Sequence, residues 1–306
     1  MKVLVATEKP FSAQAVQGIK AKIEDAGLEF ALLEKYTDKN ELYNAMADAE
    51  GLIVRSDIID SAAIAAAPKL KIIVRAGAGY DNIDLEAAKK RGIVVENTPG
   101  QNSLAVAELV IGMAILAARN NFNGTTGFEI SGKRLGLQAF GQVSRNVARL
   151  AKGFGMTVSA LDPFCSPDAI AEAGVENKQS LQDLYGNSDI LSIHIPATPQ
   201  TIGSIGYDLI SLLPKGAVLI NTARKEVIDE DGLEKALQER PDLKYFADVK
   251  PKNAETLEEK FAGRVFFTPK KTGAQTKEAN LKAGLAAADQ TVDFLCRGVE
   301  NFRVNR

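Results

Sequence analysis

The chain has 306 residues, of which 45% are hydrophobic and 25% charged, with a net charge of −2, two cysteines and a single histidine. This length predicts one large or two medium-sized domains with a substantial buried core, and the near-neutral charge argues against nucleic acid as the main partner. Cys165 and Cys296 are too far apart to indicate a disulfide framework or a thiolate zinc site, and one histidine excludes His-cluster metal sites, so we predict no bound metal. If the protein moves protons in an active site, either His194 or another residue type must do so.

Short Val- and Ile-rich runs alternate with helical patterns from the N-terminus onward. Such runs, bounded by Gly and Pro, are typical of buried parallel strands, and their alternation with helices predicts an α/β fold. The first predicted strands are residues 2–6, 30–33, 51–54, 70–75 and 93–96. Between them lie a helical pattern with Val16, Ile19 and Ile23 on one face and two more at residues 61–66 and 85–90.

The segment at residues 97–100 interrupts this alternation, and a long apolar helix follows at about residues 102–119. The alternation then resumes after an Asn- and Gly-rich loop and ends in a helix at about residues 276–296. The second set of predicted strands is residues 134–138, 157–161, 189–193, 217–221, 244–248 and 265–267. We therefore predict two α/β units that join near residue 99.

The N-terminus and the most apolar helix show no export or membrane signal. Residues 1–6 lack the apolar core and small-residue cleavage site of a signal peptide. The apolar stretch at residues 105–118 is too short to span a bilayer and contains Glu108. We expect a soluble, cytoplasmic protein.

Two glycine-containing motifs match nucleotide-binding patterns only in part. Residues 127–134 nearly match a phosphate-binding loop, but Arg134 stands where Ser or Thr would hold magnesium, and a strand follows instead of a helix. We interpret this segment as a turn. The motif at residues 75–82 lacks the third glycine of a dinucleotide fingerprint, although its glycines would allow backbone amides to approach an anion.

The segment at residues 135–148 lies between a predicted strand and a helix, where the pyrophosphate-binding turn of a Rossmann unit belongs. Ala139, Gly141 and Ser144 occupy its three glycine positions, and only the middle glycine is retained. Asp162 ends the next strand, 21 residues beyond Gly141, as expected for an acid that binds the ribose and repels a 2′-phosphate. These features indicate NAD binding, and the alternative is an ordinary helix that begins at a glycine turn.

Ordered motifs over nearly the whole chain resemble those of the D-2-hydroxyacid dehydrogenases. The matching segments are residues 52–56, 74–84, 97–99, 107–109, 194–196, 215–216, 221–224, 227–229 and 248–249. The resemblance implies two parallel-sheet domains, Rossmann-like or flavodoxin-like, with a cleft between them. Residues 1–98 and 280–306 would form the substrate-binding domain, and residues 99–279 the NAD-binding Rossmann domain.

The resemblance is strongest to the members that act on 3-phosphoglycerate. It implies NAD-dependent oxidation of this phosphorylated 2-hydroxy acid to 3-phosphohydroxypyruvate, the entry step of serine biosynthesis, by a homodimer or homotetramer with the long helix near residue 110 at the dimer interface. A hydroxypyruvate or glyoxylate reductase and a catalytically retired NAD-binding regulatory protein remain alternatives. Because the chain ends about ten residues after the last predicted helix, we expect no C-terminal serine-sensing domain.

The resemblance also implies roles for individual residues. Arg224 matches the catalytic arginine, whose fork of donors suits a carboxylate and the adjacent C2 oxygen. Asp248 matches the residue that contacts the nicotinamide carboxamide. The implied substrate-binding positions are Arg55 and Arg75, which fit the phosphate end, together with Ser56, Ala76, Gly77 and Gly79. The amides of residues 76–79 would help bind the substrate carboxylate or the nicotinamide edge. The implied cofactor-binding positions are Ala78, Gly141, Gln142, Val143, Asp162, Ile195, Pro196, Thr222, Ala223, Asp248 and Gly273.

The proton-transfer residues depart from the family pattern. A histidine is expected directly after Thr-Pro, but here Pro269 is followed by Lys270 and Lys271. The usual partner glutamate, five residues after Asp248, is replaced by Asn253, and the nearest acid downstream is Glu255. Both members of the family's acid/base pair are therefore changed together.

We interpret this change as a lysine that acts as the acid/base. Counting from Pro269 selects Lys270, which we favour, and counting back from Gly273 selects Lys271. Such a lysine needs a pKa below its ordinary value of about 10.4, and burial or neighbouring cations would produce that change. His194 follows a strand on the cofactor side, and we expect its role to be structural.

Overall fold

We describe residues 1–306 in a computed structural model of the chain. The chain divides into two compact units, one of Met1–Asn102 with Thr276–Arg306 and the other of Ser103–Gln275. Each contains one sheet, with five strands in the first unit and seven in the second, and every pair of neighbouring strands is parallel. The predicted α/β fold is confirmed. None of the helices combines the length and hydrophobicity needed to cross a membrane.

The first unit is built around a flavodoxin-like sheet. Its strands are Lys2–Thr7 (β1), Glu29–Glu34 (β2), Gly51–Val54 (β3), Ile72–Arg75 (β4) and Val94–Asn97 (β5), in the order β2-β1-β3-β4-β5. Its helices are Ala13–Asp25 (α1), Lys39–Met46 (α2), Ser61–Ala65 (α3), Leu85–Lys90 (α4) and the C-terminal helix Lys277–Arg297 (α12). This strand order reverses direction between β1 and β3, and in such sheets ligands usually bind at the carboxyl ends of the strands.

Local sequence explains where the helices of the first unit begin. Each starts after a residue whose side-chain oxygen accepts a hydrogen bond from a backbone N–H in the first turn, an arrangement that satisfies an otherwise orphaned donor. These capping residues are Ser12, Asp38, Asp60, Asp84 and Thr276. Helix α1 buries Ala15, Ile19 and Ile23 at the spacing of one helical face.

Glycine allows α1 and α12 to pack closely. A Cβ added at Gly18 would lie 2.7 Å from Leu285, and one added at Gly284 would lie 2.9 Å from Ile19. After α12 the chain returns to the sheet, where Val304 donates its N–H to the carbonyl of Val95 over 2.8 Å. The tail thereby covers the exposed edge of β5, which would otherwise present unpaired backbone groups.

The second unit contains a Rossmann-like sheet. Its strands are Arg134–Gln138 (β6), Thr157–Leu161 (β7), Glu176–Asn177 (β8), Ile190–Ile193 (β9), Val218–Asn221 (β10), Lys244–Ala247 (β11) and Val265–Phe267 (β12), in the order β12-β11-β10-β9-β6-β7-β8. Its helices are Ser103–Ala118 (α5), Gln142–Gly153 (α6), Pro167–Glu172 (α7), Leu181–Gly186 (α8), Tyr207–Ile210 (α9), Glu230–Glu239 (α10) and Ala254–Lys260 (α11), with 3₁₀ turns at Asn120–Phe122 and Lys225–Val227. The direction of winding reverses between β6 and β9.

The apolar helix α5 packs in the core of the second unit and is not a membrane segment. It buries Val110, Ile111 and Met113 in a cluster that includes side chains from β6 and α6. Lys244 at the start of β11 donates to the carbonyl of Ala117 at the end of the helix over 2.6 Å. Burial lowers the pKa of this ammonium group. The contact satisfies one of the carbonyls that a helix end leaves without a partner.

Candidate active site

The carboxyl edge of the seven-stranded sheet brings together the predicted site residues of the second unit. In parallel sheets the carboxyl ends of the strands lie along one edge, and ligands bind where the strand order reverses. Following the strands in chain order, this edge carries residues 139–141 after β6, Asp162 after β7, residues 194–196 after β9, residues 222–224 after β10, Asp248 after β11 and residues 268–273 after β12. Segments that are distant in sequence thus become neighbours along one crevice.

The glycine-poor turn between β6 and α6 has the backbone conformation of a dinucleotide turn. Ala139, in the first glycine position, has a φ of +83°, a region that L-residues other than glycine rarely adopt. Gly141 precedes the first residue of α6, and a Cβ added there would meet no atom within 4 Å. The turn therefore keeps open space beside the N-terminal amides of α6, where a pyrophosphate would bind.

Replacing Ala139 by glycine is expected to stabilise the protein. Glycine adopts the positive φ of this position without strain, and this gain outweighs the greater entropy that glycine gives the unfolded chain. The free energy of unfolding should rise by about 0.5–1 kcal/mol. Urea unfolding followed by circular dichroism measures the change. Ala286→Gly is the matched control, because it lies inside α12 at ordinary helical φ and should lose about 1 kcal/mol. If both substitutions destabilise the protein equally, Ala139 does not store backbone strain.

Asp162 lies beside this turn with its carboxylate only partly exposed. One oxygen accepts the backbone N–H of Phe140 over 2.7 Å, and the other accepts that of Phe164 over 2.8 Å. A carboxylate offers about four lone-pair sites, so it retains capacity for ribose hydroxyls. Its charge next to the turn disfavours a 2′-phosphate, which agrees with NAD as the cofactor.

Two buried hydroxyls at this edge have no hydrogen-bond partner. They belong to Thr222, after β10, and to Ser144, in the third glycine position. An unsatisfied buried polar atom is unfavourable by about 1–3 kcal/mol, so a ligand that hydrogen-bonds to Thr222 would be favoured. Together with the open space at Gly141, this makes the residues present fit a bound dinucleotide.

Arg224 follows β10 in a turn that the buried side chain of Asn221 shapes. The Asn221 amide oxygen accepts the N–H of Ala223, and its NH₂ group donates to the carbonyl of Arg224, both over 2.9 Å. The half-buried Arg224 guanidinium donates to the Ala223 carbonyl over 3.0 Å. Sequence analysis did not single out Asn221, although an Asn directly after a buried strand favours such a turn.

Asp248 is almost fully buried and holds the segment after β12. Its Oδ1 accepts the Thr268 hydroxyl over 2.9 Å and the Thr272 N–H over 2.7 Å, and its Oδ2 accepts the Gly273 N–H over 2.8 Å. We call residues 268–273 the lysine turn, since they carry Lys270 and Lys271. The role of Thr268 was missed, because nothing local in the sequence links it to a residue 20 positions earlier.

The side chains of the two candidate acid/base lysines lie at the surface of the second unit. Lys270 and Lys271 are both exposed residues of the lysine turn. Glu255 is also exposed, in the first turn of α11. The acid that contacts the Asn253 segment is instead Glu230, which accepts the Asn253 N–H over 3.3 Å and was not a sequence candidate.

His194, the single histidine, lies after β9 on the same edge. Its Nε2 is 2.9 Å from the Ser192 hydroxyl, and its backbone N–H donates to the carbonyl of Gln138 over 3.0 Å. Burial lowers the pKa of the imidazole to about 3, because the charged form loses its hydration. The ring is therefore neutral at physiological pH and poorly suited to carry a proton in catalysis.

In the first unit, Arg55 follows strand β3 and Arg75 is the last residue of the neighbouring strand β4, so both lie at one sheet edge. The Arg55 guanidinium donates to the carbonyls of Lys9 and Pro10 over 2.9 and 3.1 Å and also bonds the Asn280 side chain. Its plane lies over the Phe11 ring, 5.1 Å from the centroid. Arg55 thus fixes the loop after β1, in addition to any role toward a ligand.

The position of Arg75 depends on Gly77. Arg75 donates its Nε–H to the carbonyl of Arg55 over 2.9 Å. Gly77 has a φ of +153°, and a Cβ there would lie only 1.4 Å from an Arg75 guanidinium nitrogen. Only glycine leaves room for that guanidinium. Of the neighbouring predicted positions, Ser56 and Ala78 are exposed, Ala76 is buried and Gly79 is intermediate.

The chain matches a family model and is similar to several curated proteins. A family model described as the D-isomer specific 2-hydroxyacid dehydrogenase NAD binding domain matches residues 104–269. A D-3-phosphoglycerate dehydrogenase of Methanocaldococcus jannaschii is 37% identical over 270 residues, 82% of this chain and 51% of that protein. The human D-3-phosphoglycerate dehydrogenase is 35% identical over 292 residues, 89% of this chain and 54% of that protein. The chain spans about half the length of these two relatives.

Solved structures match this chain over its full length, and one of them is also similar in sequence. The NAD⁺-bound 3-phosphoglycerate dehydrogenase of Entamoeba histolytica is 46% identical to this chain and superposes with a TM-score of 0.92. The match covers 100% of this chain and 99% of that one. The similarity to the Entamoeba histolytica structure therefore includes both units of the fold and not the second unit alone.

Proposed function

Because the chain belongs to the D-isomer-specific 2-hydroxyacid dehydrogenase family, we propose that it oxidises 3-phospho-D-glycerate to 3-phosphohydroxypyruvate with NAD. This reaction is the entry step of serine biosynthesis. The observation that carries the proposal is the alignment along one sheet edge of the dinucleotide turn at Gly141, the Arg224 turn and the lysine turn. The phosphoglycerate dehydrogenase relatives described above support the choice of substrate.

The proposed chemistry divides the work at C2 between Arg224 and a lysine. Bound NAD would supply the acceptor for the hydride from C2. Arg224 holds the substrate carboxylate and stabilises charge on the C2 oxygen with its planar fork of donors. Lys270 is proposed to accept the hydroxyl proton, and Lys271 is the alternative. Glu230, rather than Glu255, is the acid whose carboxylate is held beside the Asn253 segment.

The cofactor is proposed to bind along the edge of the second sheet. The N-terminus of α6, with Gly141, Gln142 and Val143, would hold the pyrophosphate, and Asp162 the ribose. The remaining proposed contacts are Ile195, Pro196, Thr222, Ala223, Asp248, Gly273 and Ala78. The unpartnered Thr222 hydroxyl and the open space at Gly141 support this assignment.

The first unit is proposed to be the substrate-binding domain, with boundaries near residues 98 and 280. Arg55 and Arg75 would bind the phosphate end, and Ser56 is a further substrate-binding residue. The amides of residues 76, 77 and 79 would help bind the carboxylate or the nicotinamide edge. Two neighbouring arginines at one sheet edge support an anion site, because a guanidinium binds phosphate in a bidentate manner.

Substrate selectivity tests this function. We expect kcat/KM for 3-phospho-D-glycerate to exceed that for D-glycerate by about 10³-fold or more, since a site built for a charged group rejects a ligand that lacks it. Arg75→Gln should reduce this ratio, and Arg149→Gln, an exposed arginine on α6, should leave it unchanged. Equal rates with both substrates would contradict the proposal and favour a hydroxypyruvate or glyoxylate reductase.

Assembly and location are also proposed. We expect a cytoplasmic homodimer or homotetramer in which helix α5 contributes to the subunit interface. Several apolar side chains of α5 are only partly buried within the chain, and association would cover them. They are Leu104, Val106, Leu109, Ile115 and Leu116.

A further inference from the structure

One side chain, that of Asp248, accepts three hydrogen bonds from the lysine turn. The Asp248 carboxylate directly follows β11, and the turn directly follows β12, the neighbouring edge strand. Three hydrogen bonds from the turn end on this carboxylate, from the Thr268 hydroxyl, the Thr272 N–H and the Gly273 N–H. The donors lie on both sides of Lys270 and Lys271, so the carboxylate fixes the turn before and after its lysines.

Additional contacts make this arrangement rigid. The Thr268 hydroxyl lies 3.0 Å from the backbone carbonyl of Asp248, in addition to its contact with the carboxylate. Thr272 donates its hydroxyl to the carbonyl of Lys270 over 2.7 Å, which closes the turn internally. A Cβ added at Gly273 would lie 2.9 Å from the Asp248 Oδ2, so only glycine permits the observed approach.

A carboxylate at position 248 accepts the three hydrogen bonds of the lysine turn better than a neutral side chain would. An ionised carboxylate only accepts hydrogen bonds, and three of its about four lone-pair sites are already used by the turn. Hydrogen bonds to a buried charged group are stronger than those between neutral groups. An asparagine at this position would direct its NH₂ group toward a donor, which would push part of the turn away.

We propose that Asp248, together with Thr268, is the positioning group for the lysine turn and sets where the acid/base lysine stands. This inference rests on the proposed function. It assigns Asp248 a task distinct from the cofactor contact predicted from the sequence. Displacement of a reacting group by about 1 Å lowers a rate by about 100-fold, so loss of these hydrogen bonds should act on kcat.

The experiment compares Thr268→Val, which is nearly isosteric and removes the hydroxyl, with Thr268→Ser, which retains it. Asp248→Asn and the double variant complete the set. Steady-state kinetics with NAD and 3-phosphoglycerate measure kcat and both KM values. Hydrogen–deuterium exchange of residues 268–275 in the full chain reports the Thr272 and Gly273 amides independently of activity, and thermal unfolding checks folding.

We expect Thr268→Val to lower kcat by about 10- to 100-fold, to leave KM for NAD nearly unchanged and to accelerate exchange in the turn. Thr268→Ser should restore wild-type behaviour, and the double variant should resemble Asp248→Asn. Unchanged exchange, or equal impairment by Val and Ser, would overturn the positioning role. A raised KM for NAD at unchanged kcat would instead identify a cofactor contact and also overturn it.

Activity measurements on the lysine variants distinguish failure of the proposed lysine mechanism from failure of the positioning role alone. If substitution of both lysines leaves activity intact, the lysine mechanism fails and the positioning role fails with it. If the lysine variants are inactive while Thr268→Val and Asp248→Asn keep wild-type kcat, only the inference is wrong. Gly273→Ala would place a Cβ 2.9 Å from the Asp248 Oδ2 and so disturb the same contact. It should lower kcat without removing any hydrogen-bonding group.

Discussion

Replacing Lys270 by methionine is expected to lower kcat for 3-phosphoglycerate oxidation by about 10²–10⁴-fold, the usual contribution of a general acid/base. Methionine keeps the length of the side chain and removes only the group that carries the proton. Lys271→Met should lower kcat less than tenfold if Lys270 is the acting residue. Steady-state kinetics measure both effects, and NADH fluorescence titration checks that cofactor binding persists.

The controls make the outcome decisive. Lys282→Met, an exposed lysine of α12, should leave kcat unchanged. The reverse pattern, with Lys271→Met inactive, would assign the role to Lys271. Wild-type rates in the variant that lacks both lysines would contradict a lysine mechanism. A parent protein that binds NADH and turns over no 2-hydroxy acid would identify a retired regulatory member of the family.

Replacing Arg224 is expected to be equally severe. Arg224→Gln should lower kcat/KM by about 10³-fold, because one donor to a developing oxyanion contributes about 10²–10³-fold and the carboxylate contact is lost as well. Arg224→Lys keeps the charge but not the planar fork, so it should recover only a small part of the activity. Kinetics with 3-phosphoglycerate measure both variants.

The Arg224 prediction has its own control. Asn221 holds the Arg224 turn through two hydrogen bonds of 2.9 Å, and the Arg224 side chain is only half-buried. Thermal unfolding of the Arg224 variants should therefore stay near that of the wild type, and NADH should still bind. An unchanged kcat/KM in Arg224→Gln would remove Arg224 from the chemistry and leave the motif match without functional meaning.

The family resemblance in the ordered motifs is confirmed by the family match and by the similarity to the Entamoeba histolytica enzyme. The fold was also predictable, since continuous β-branched runs bounded by glycine identify buried parallel strands. Several predicted strands coincide with the observed ones, including Gly51–Val54, Arg134–Gln138 and Thr157–Leu161. The two-residue strand Glu176–Asn177 and several short helices were not predicted, because they are too short to show a period.

The sequence by itself determined the succession of strands and helices along the chain and the residue types that follow each strand. These are local properties, because they depend on hydrophobic periodicity and on the residues that end an element. The tertiary structure decided which of those residues meet. Asp248 meets Thr268 and Gly273 because β11 and β12 are neighbours at the sheet edge, and strand order is not written in any local pattern.

Burial and backbone strain were likewise decided by the tertiary structure. Burial lowers the pKa of the lone histidine, whereas Lys270 and Lys271 are exposed. Ala139 adopts a glycine-like φ because the turn joins β6 to α6 while its N–H bonds the carbonyl of Leu161 on β7. Desolvation and strain depend on every element packed around a residue, so residue type and spacing alone could not reveal them.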